Sequence, residues 1–445
     1  MSHAPSIPAP AAAAPTPSPP KPLVPHDPYA PLRVPNFRRF VLSVMTMAMG
    51  AQVQGVVVAW QMYAITHDPL ALGMVGLAEV APFIGFALYA GHVADVRDRR
   101  RVALAALVVL LLCSAALGAA SGWLGSRPAG VSTAPLRLII YGVIVVCGGA
   151  RSFLIPARNA LGADLVPRAL YPSAVAWRTG VWQVAAVSGP ALGGFLYAWI
   201  GPTWSYGFAA GLMALSLAAV VGVRPGERTT PPRAESPLAS IRQGLTFLFQ
   251  RPLFLGAMTL DLLAVLFGGA VAILPIFAEG ILHVGPEGLG ALRAAPAVGA
   301  VLMSALLALG RRPRRAGPTF LASVALFGAF MIAFALSRWL WLSLALLAGG
   351  GAADMLSIYF RSTLMQVKVP SGMLGRVSAV NQIFVGSSNE IGAFESGVAA
   401  RLLGTVPSVV VGGAITVVVT ALVAWRVPAL ARLDRLDADD PAVSG

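Results

Sequence analysis

The chain has 445 residues, 57% of them hydrophobic and only 11% charged, with a mean hydropathy of +0.76. A soluble protein carries about 25% charged residues, so an ordinary soluble fold is excluded and an all-α integral membrane protein is expected. The formal charge of +14 does not call for a nucleic-acid partner. The basic residues fall in short runs between apolar spans, which is topological charge bias.

Residues 1–35 are rich in proline, alanine and serine and lack the apolar stretch of a cleavable signal peptide. They read as a disordered cytoplasmic tail. Arg33, Arg38 and Arg39 then precede a first span, Phe40–Ala64. Spans of roughly 20 residues, the length a helix needs to cross the hydrocarbon, follow at Leu70–Ala90, Val102–Leu124, Leu136–Pro156, Ser173–Ile200 and Thr203–Val223. A polar stretch from Arg224 to Arg251 comes next, and its SIRQGLTFLFQ segment has the pattern of a short amphipathic helix on the membrane surface. Six further spans begin near Leu253, Leu289, Pro318, Trp339, Val377 and Val406. The last ends by Trp425, before an acidic tail with Asp434, Asp437, Asp439 and Asp440.

The expectation is therefore twelve transmembrane helices in two pseudo-symmetric six-helix bundles, residues 36–223 and 253–426. A linker at 224–252 joins them, and a second cytoplasmic tail occupies 427–445. Arginine placement supports this count. One set of loops holds Arg97–Arg101, Arg158 and Arg168, Arg224–Arg251, Arg311–Arg315 and Arg361–Arg376; the other holds only the single arginines Arg127, Arg137, Arg293, Arg338 and Arg401. With both termini in the cytoplasm, the positive-inside rule is met throughout. Trp123, Trp199, Trp204, Trp339 and Trp341 fall at the opposite ends, where interface anchors belong. The halves echo each other: an arginine run follows the second span of each, and PSAVAW before the fifth span returns as VSAVNQ at the eleventh. Repeated six-helix halves are typical of one large class of secondary transporter. The expected location is the cell inner membrane or plasma membrane, multi-pass, as a monomer.

The stretch GHVADVRDRRR, Gly91–Arg101, resembles the cytoplasmic signature of the major facilitator superfamily, with Gly91, Asp95, Arg99 and Arg100 at matching positions. The signature's second glycine is replaced by Asp98, as in the branch that resembles the enterobactin exporter. In the fifth span, Gly189, Pro190, Gly193 and Gly194 resemble the core of the superfamily's antiporter motif, although Ala185 stands where an upstream glycine is expected. The eleventh span is similar to the same branch, and the resemblance covers about Phe37 to Ala424. It implies a transporter fold, and it implies that Asp95 and Arg99 latch the outward-facing state. A charge pair at a moving seam must be broken in one state and remade in the other. The Gly-Pro-x-x-Gly-Gly set also has a steric reading, because small residues on one face let helices approach closely.

Charges inside the spans are the candidate substrate or proton sites, since each costs several kcal/mol unless paired or hydrated. They are Glu79, Arg178, Asp261, Asp354, Glu390 and Glu395, with Gln52 in the first span as a polar cavity residue. Desolvation favours the neutral form of a carboxyl, so such acids can exchange protons during transport. The competing reading is that they form buried pairs holding helices together. Gln54 and Gln61 either line a cavity with Gln52 or bridge helices. Cys113 and Cys147, both in apolar spans, read as packing residues. His67, His92 and His283 lie in or beside loops, and no metal-ligand spacing or nucleophile–base set is present. No metal, cofactor or enzymatic activity is expected.

The sequence thus points to a proton-coupled exporter of small amphipathic molecules, drug-like or siderophore-like, working by alternating access. The partners are a small-molecule substrate, protons as the coupling ion, and the lipid bilayer. A metabolite uptake permease of the same fold, and a non-transporting membrane sensor or enzyme, are the alternatives.

Overall fold

The computed structural model describes residues 27–125, 132–224, 237–310 and 315–433. Most of the N-terminal tail, Arg127, the Pro-rich start of the linker, Arg311–Arg314 and the acidic C-terminal tail lie outside the described residues. The elements in order are α1 (Pro35–Thr66), α2 (Pro69–Val96), α3 (Arg99–Gly125), α4 (Ala134–Asp164), α5 (Tyr171–Val221), α6 (Pro237–Phe249), α7 (Pro252–Gly268), α8 (Pro286–Ala308), α9 (Ala316–Leu336), α10 (Leu340–Lys368), α11 (Ser371–Leu403) and α12 (Thr405–Arg426). Between α7 and α8 the chain makes short helical turns, the last of them a π turn at Phe277–Ile281. No strand occurs among the described residues. Backbone bonding within the helices is local, as the absence of water in hydrocarbon requires, apart from the Gly317 N–H at a helix start, which donates to the Leu433 carbonyl at 2.8 Å.

Among the described residues, ten helices are long and apolar enough to cross a membrane. Two features separate this number from the twelve expected. The 51-residue α5 contains Gly201 at φ 72° and ψ 176°, followed by Pro202, so it is two helical segments joined at a break. That break falls between Ile200 and Thr203, where the fifth and sixth spans were predicted to part. The other feature is α11, which is 33 residues long but is not among the ten.

Local chemistry sets the helix ends. His67 adopts the left-handed conformation at φ 50° and closes α1 with a bond from its N–H to the Tyr63 carbonyl. Asp68 caps α2, its Oδ1 accepting the Leu70 N–H at 3.0 Å, and Pro69 supplies a fixed φ at the first helical position. Asp98 does the same for α3, accepting the Arg101 N–H at 3.0 Å. The residue that replaces the superfamily's second glycine is therefore a helix cap. The Gly91–Arg101 stretch is not the loop its charge predicts: α2 runs through Val96 and α3 starts at Arg99, leaving only Arg97 and Asp98 between them.

The same extension of helices past their apolar windows corrects further loop assignments. Arg137 and Arg158 lie in α4, Arg293 in α8, Arg361 in α10, and Arg376 and Arg401 in α11. Helical hydrogen bonding does not stop where hydropathy does, so these arginines are carried on helices.

The apolar core shows how the halves meet. One cluster joins them, with Val56, Leu117, Tyr206 and Ile140 from the first half packed with Phe277, Leu289 and Phe334 from the second. Two further clusters each belong to one half: Phe37, Phe40, Leu107 and Leu161 in the first, and Phe254, Phe320, Phe360 and Leu430 in the second. The halves thus share a core at the tryptophan-bearing end and part company at the arginine-bearing end. Trp123, Trp199, Trp204, Trp339 and Trp341 are all more than half exposed, as interface anchors should be. Leu112, Leu138, Leu326 and Val418 likewise present over half their area outward, the apolar girdle of a membrane protein. The predicted surface segment is α6, with Leu248 buried and Phe249 exposed.

Candidate functional site

Where the single-half clusters separate, a cavity of about 600 Å³ lies between the halves. Its walls come from α1, α2, α4 and α5 on one side and from the α7–α8 connection, α8 and α11 on the other. Three arginines and two glutamates face it: Arg151, Arg158, Arg293, Glu79 and Glu390. Glu79 of α2 is ion-paired with Arg151 of α4. Glu390 lies close enough to Glu79, Arg151 and Arg293 for each of them to act on it electrostatically. Arg293 reaches from α8 toward α1, where its Nη1 would stand 3.6 Å from a methyl group added at Gly55.

The glutamines divide as their environments dictate. Gln52 and Gln54 line the cavity; Gln54 also accepts from Ser114 at 2.6 Å. Gln61 is a bridge, bonded to Ser121 at 2.9 Å and accepting from the Tyr206 hydroxyl at 2.9 Å. Cys113 and Cys147 are free and buried.

A second cavity of about 170 Å³ lies within the C-terminal half and shares Val271, Ala272, Asn389 and Ala393 with the first. Its other walls are mainly apolar, including Phe327, Met331 and Leu347, and Asp354 points into it. Asp354 makes no hydrogen bond or ion pair among the described residues.

The remaining candidates lie elsewhere. Asp261 of α7 is paired with Arg361 of α10, both side chains only 6% exposed, and neither lines the central cavity. Glu395 is half-buried and outside both cavities, and Arg178 stands beside Arg158 without lining the central one. Sequence reasoning passed over Arg151, although a lone arginine in the predicted fourth span is the same signal that singled out Glu79. Arg158 and Arg293 were misplaced because they were counted as loop charges.

At the arginine-bearing end, Arg99 binds Asp164 at 2.5 Å, with side chains 11% and 8% exposed. Arg100 donates to the carbonyls of Val220 and Val221 at 3.2 and 2.6 Å. Both arginines fasten α3 to α4 and α5 within their own half. The backbone of Asp95 belongs to the last turn of α2, and its side chain lies outside what is described. Removing one partner of a buried pair strands the other, a loss of about 3 kcal/mol or more. Asp164→Asn is therefore expected to lower the unfolding free energy of the purified protein by that amount, read by denaturant or thermal unfolding in detergent.

At the opposite end the halves touch closely. A methyl at Gly194 of α5 would collide with the Pro286 carbonyl and meet Gly290 at 3.0 Å, while one at Gly290 would meet the Pro190 carbonyl at 2.6 Å. Gly189 and Gly193 serve their own half, packing on Gln52 and Val53 of α1. Across the second seam, a methyl at Gly397 of α11 would stand 2.7 Å from the Gly73 Cα of α2. Arg401 bonds Asp68 at 3.2 Å beside this seam, and the His67 Nε2 lies 4.0 Å from Glu279. Asp68 thus caps α2 with one oxygen and reaches the other half with the second. Exposed pairs of this kind are worth about 0–1 kcal/mol, small enough to break and remake.

The family model MFS_3, described as a transmembrane secretion effector, matches residues 26–443. The enterobactin exporter EntS of Shigella boydii serotype 18 is 28% identical over 349 residues, 78% of this chain and 80% of that protein. Its counterpart in Citrobacter koseri is 28% identical over 382 residues, covering 85% and 88%. Among solved structures, a POT family transporter in complex with a thioalcohol-conjugated peptide superposes with a TM-score of 0.69 at 11% identity, over 88% of this chain and 96% of that one. A bacterial homologue of the human lysosomal transporter Spinster, inward-facing and unoccupied, gives 0.66 at 16% identity, over 92% and 99%. The chain belongs to the transmembrane secretion effector family of major facilitator transporters, with homologues among the enterobactin exporters.

Proposed function

We propose that the protein is a proton-coupled exporter of small amphipathic molecules, drug-like or siderophore-like, working by alternating access. The observation that carries this reading is the core itself, which is single at one end and split at the other, with a charged cavity of about 600 Å³ between the parted halves. Trp182 lines that cavity and is 47% exposed, as a residue at an open mouth would be. The positive-inside rule puts the arginine-bearing end and both termini in the cytoplasm, so the state described is the inward-facing one. Counting α5 as two spans and α11 as one gives twelve crossings and two bundles at 36–223 and 253–426, in a protein that works as a monomer. Rocking the bundles about the cavity would break the Gly194–Gly290 and Gly73–Gly397 seams and bring Asp95 and its neighbours into contact with the second half. That is the outward-facing latch. The enterobactin exporters as relatives favour outward transport of a siderophore-like cargo.

Among the carboxyls in the cavities, Asp354 is assigned the coupling proton. It has no partner to give up, and its pocket opens onto the shared wall at Asn389 and Ala393. Asp354→Asn is expected to leave substrate binding in place and to make proteoliposome flux indifferent to a pH gradient. In whole cells, expression should lower accumulation of some compounds in a substrate panel, and a protonophore should abolish the difference. Flux that ignores the pH gradient in the unaltered protein would sink the coupling.

A further inference from the structure

The chemical class of the cargo can be read from the charges left over in the cavity. The five ionisable residues that face it are three arginines and two glutamates, and Glu79 is taken up by Arg151. Among the described residues Arg158 has no acid beside it; its electrostatic neighbour is another arginine, Arg178. Arg293 shares only Glu390, and more distantly Glu79, with the rest of the cluster. Arg158 and Arg293 each hold a buried Nε that has no hydrogen-bond partner, and neither guanidinium makes a hydrogen bond or ion pair among the described residues.

Both side chains are half-buried, and within a membrane an unpartnered guanidinium costs several kcal/mol. Such groups persist where a ligand completes them, and the planar fork of arginine suits a carboxylate or similar oxyanion better than the point charge of lysine does. Arg158 is presented by the first half and Arg293 by the second, so both moving parts contribute positive charge to the cavity. Beside them Met47, Ile155 and Trp182 offer an apolar wall. We infer that the central cavity selects amphipathic anions, drawn by the uncompensated positive charge of Arg158 and Arg293, with the apolar body laid against Met47, Ile155 and Trp182.

This rests on the reading of the cavity as the substrate site, but not on the direction or the coupling of transport. The test is equilibrium binding to the purified full chain in lipid nanodiscs, with empty nanodiscs subtracted. Three compounds of one shape serve as ligands: 2-naphthoate, 2-naphthalenemethanol and 2-naphthylmethylammonium. The anion is expected to bind at least ten-fold more tightly than the alcohol, with the ammonium compound weakest. Arg158→Gln and Arg293→Gln should each reduce that preference about ten-fold, with monodisperse elution confirming a folded protein. Arg158→Lys and Arg293→Lys should keep part of the preference, because they keep the charge and lose the fork. Equal binding of the alcohol and the anion, tighter binding of the ammonium compound, or a preference that survives both glutamine variants would overturn the inference. Binding and flux separate the two readings. If export proceeds with no anion preference, the inference alone fails; if the preference holds while no compound is exported, the export reading alone fails.

Discussion

Arg361→Leu is expected to cost 3–5 kcal/mol of stability, the largest effect of any single side-chain removal on the protein. Arg361 and Asp261 are both 6% exposed and face each other between α10 and α7. Removing the arginine, which is surrounded by Ala257, Phe320 and Phe360, leaves a carboxylate only 6% exposed with nothing to neutralise it. Breaking one side of such a pair is far more damaging than replacing both, because the penalty is an uncompensated buried charge rather than a lost attraction. The double variant Asp261→Leu, Arg361→Met should therefore recover most of the lost stability. Thermal unfolding and the monodisperse fraction in detergent report both. If the double variant is as unstable as the single ones, the pair acts through more than its charge.

The second large effect is on transport rather than folding. Gly194→Leu should reduce flux about 100-fold while the protein still inserts and elutes as a single species. A side chain at this position meets the Pro286 carbonyl and the Gly290 backbone, so the seam between α5 and α8 cannot close. Overpacking of a tight contact costs about 1–3 kcal/mol, and at the upper end that shifts a two-state equilibrium about 100-fold. Gly193→Leu is the comparison: its side chain would press on Val53 and Val56 within the first half, so it should destabilise that bundle rather than bias the halves. Flux through Gly194→Leu at the ordinary rate would remove the seam from the transport cycle.

The spans were legible because each is a long apolar run, and the break at Gly201–Pro202 was legible because only a Gly-Pro step interrupts the run there. The tryptophan-bearing end followed from interface preference alone. What the sequence concealed is which arginines turn inward. Arg158, Arg293 and Arg361 each sit near the edge of an apolar window, where hydropathy assigns them to a loop, while the helix continues for another turn or more. Their roles depend on partners distant in the chain: Arg361 on Asp261, Arg151 on Glu79, and Arg99 on Asp164. No local pattern encodes those pairs. The role of Asp98 as a helix cap was hidden for a different reason, since comparison with a signature motif marks a departure without giving its local purpose.

The most direct test of the two-state account is a reversible tie across the tryptophan-bearing end. Cysteines replace Asp68 and Arg401, whose side chains meet at 3.2 Å across the halves, in a background with Cys113 and Cys147 changed to alanine. A short bis-methanethiosulfonate joins them, and proteoliposome flux of an exported compound is followed before and after addition of a reductant. The account predicts that the tie cuts flux at least ten-fold by holding the cavity open toward the arginine-bearing end alone, and that the reductant restores it. Undiminished flux through the tied protein would contradict it.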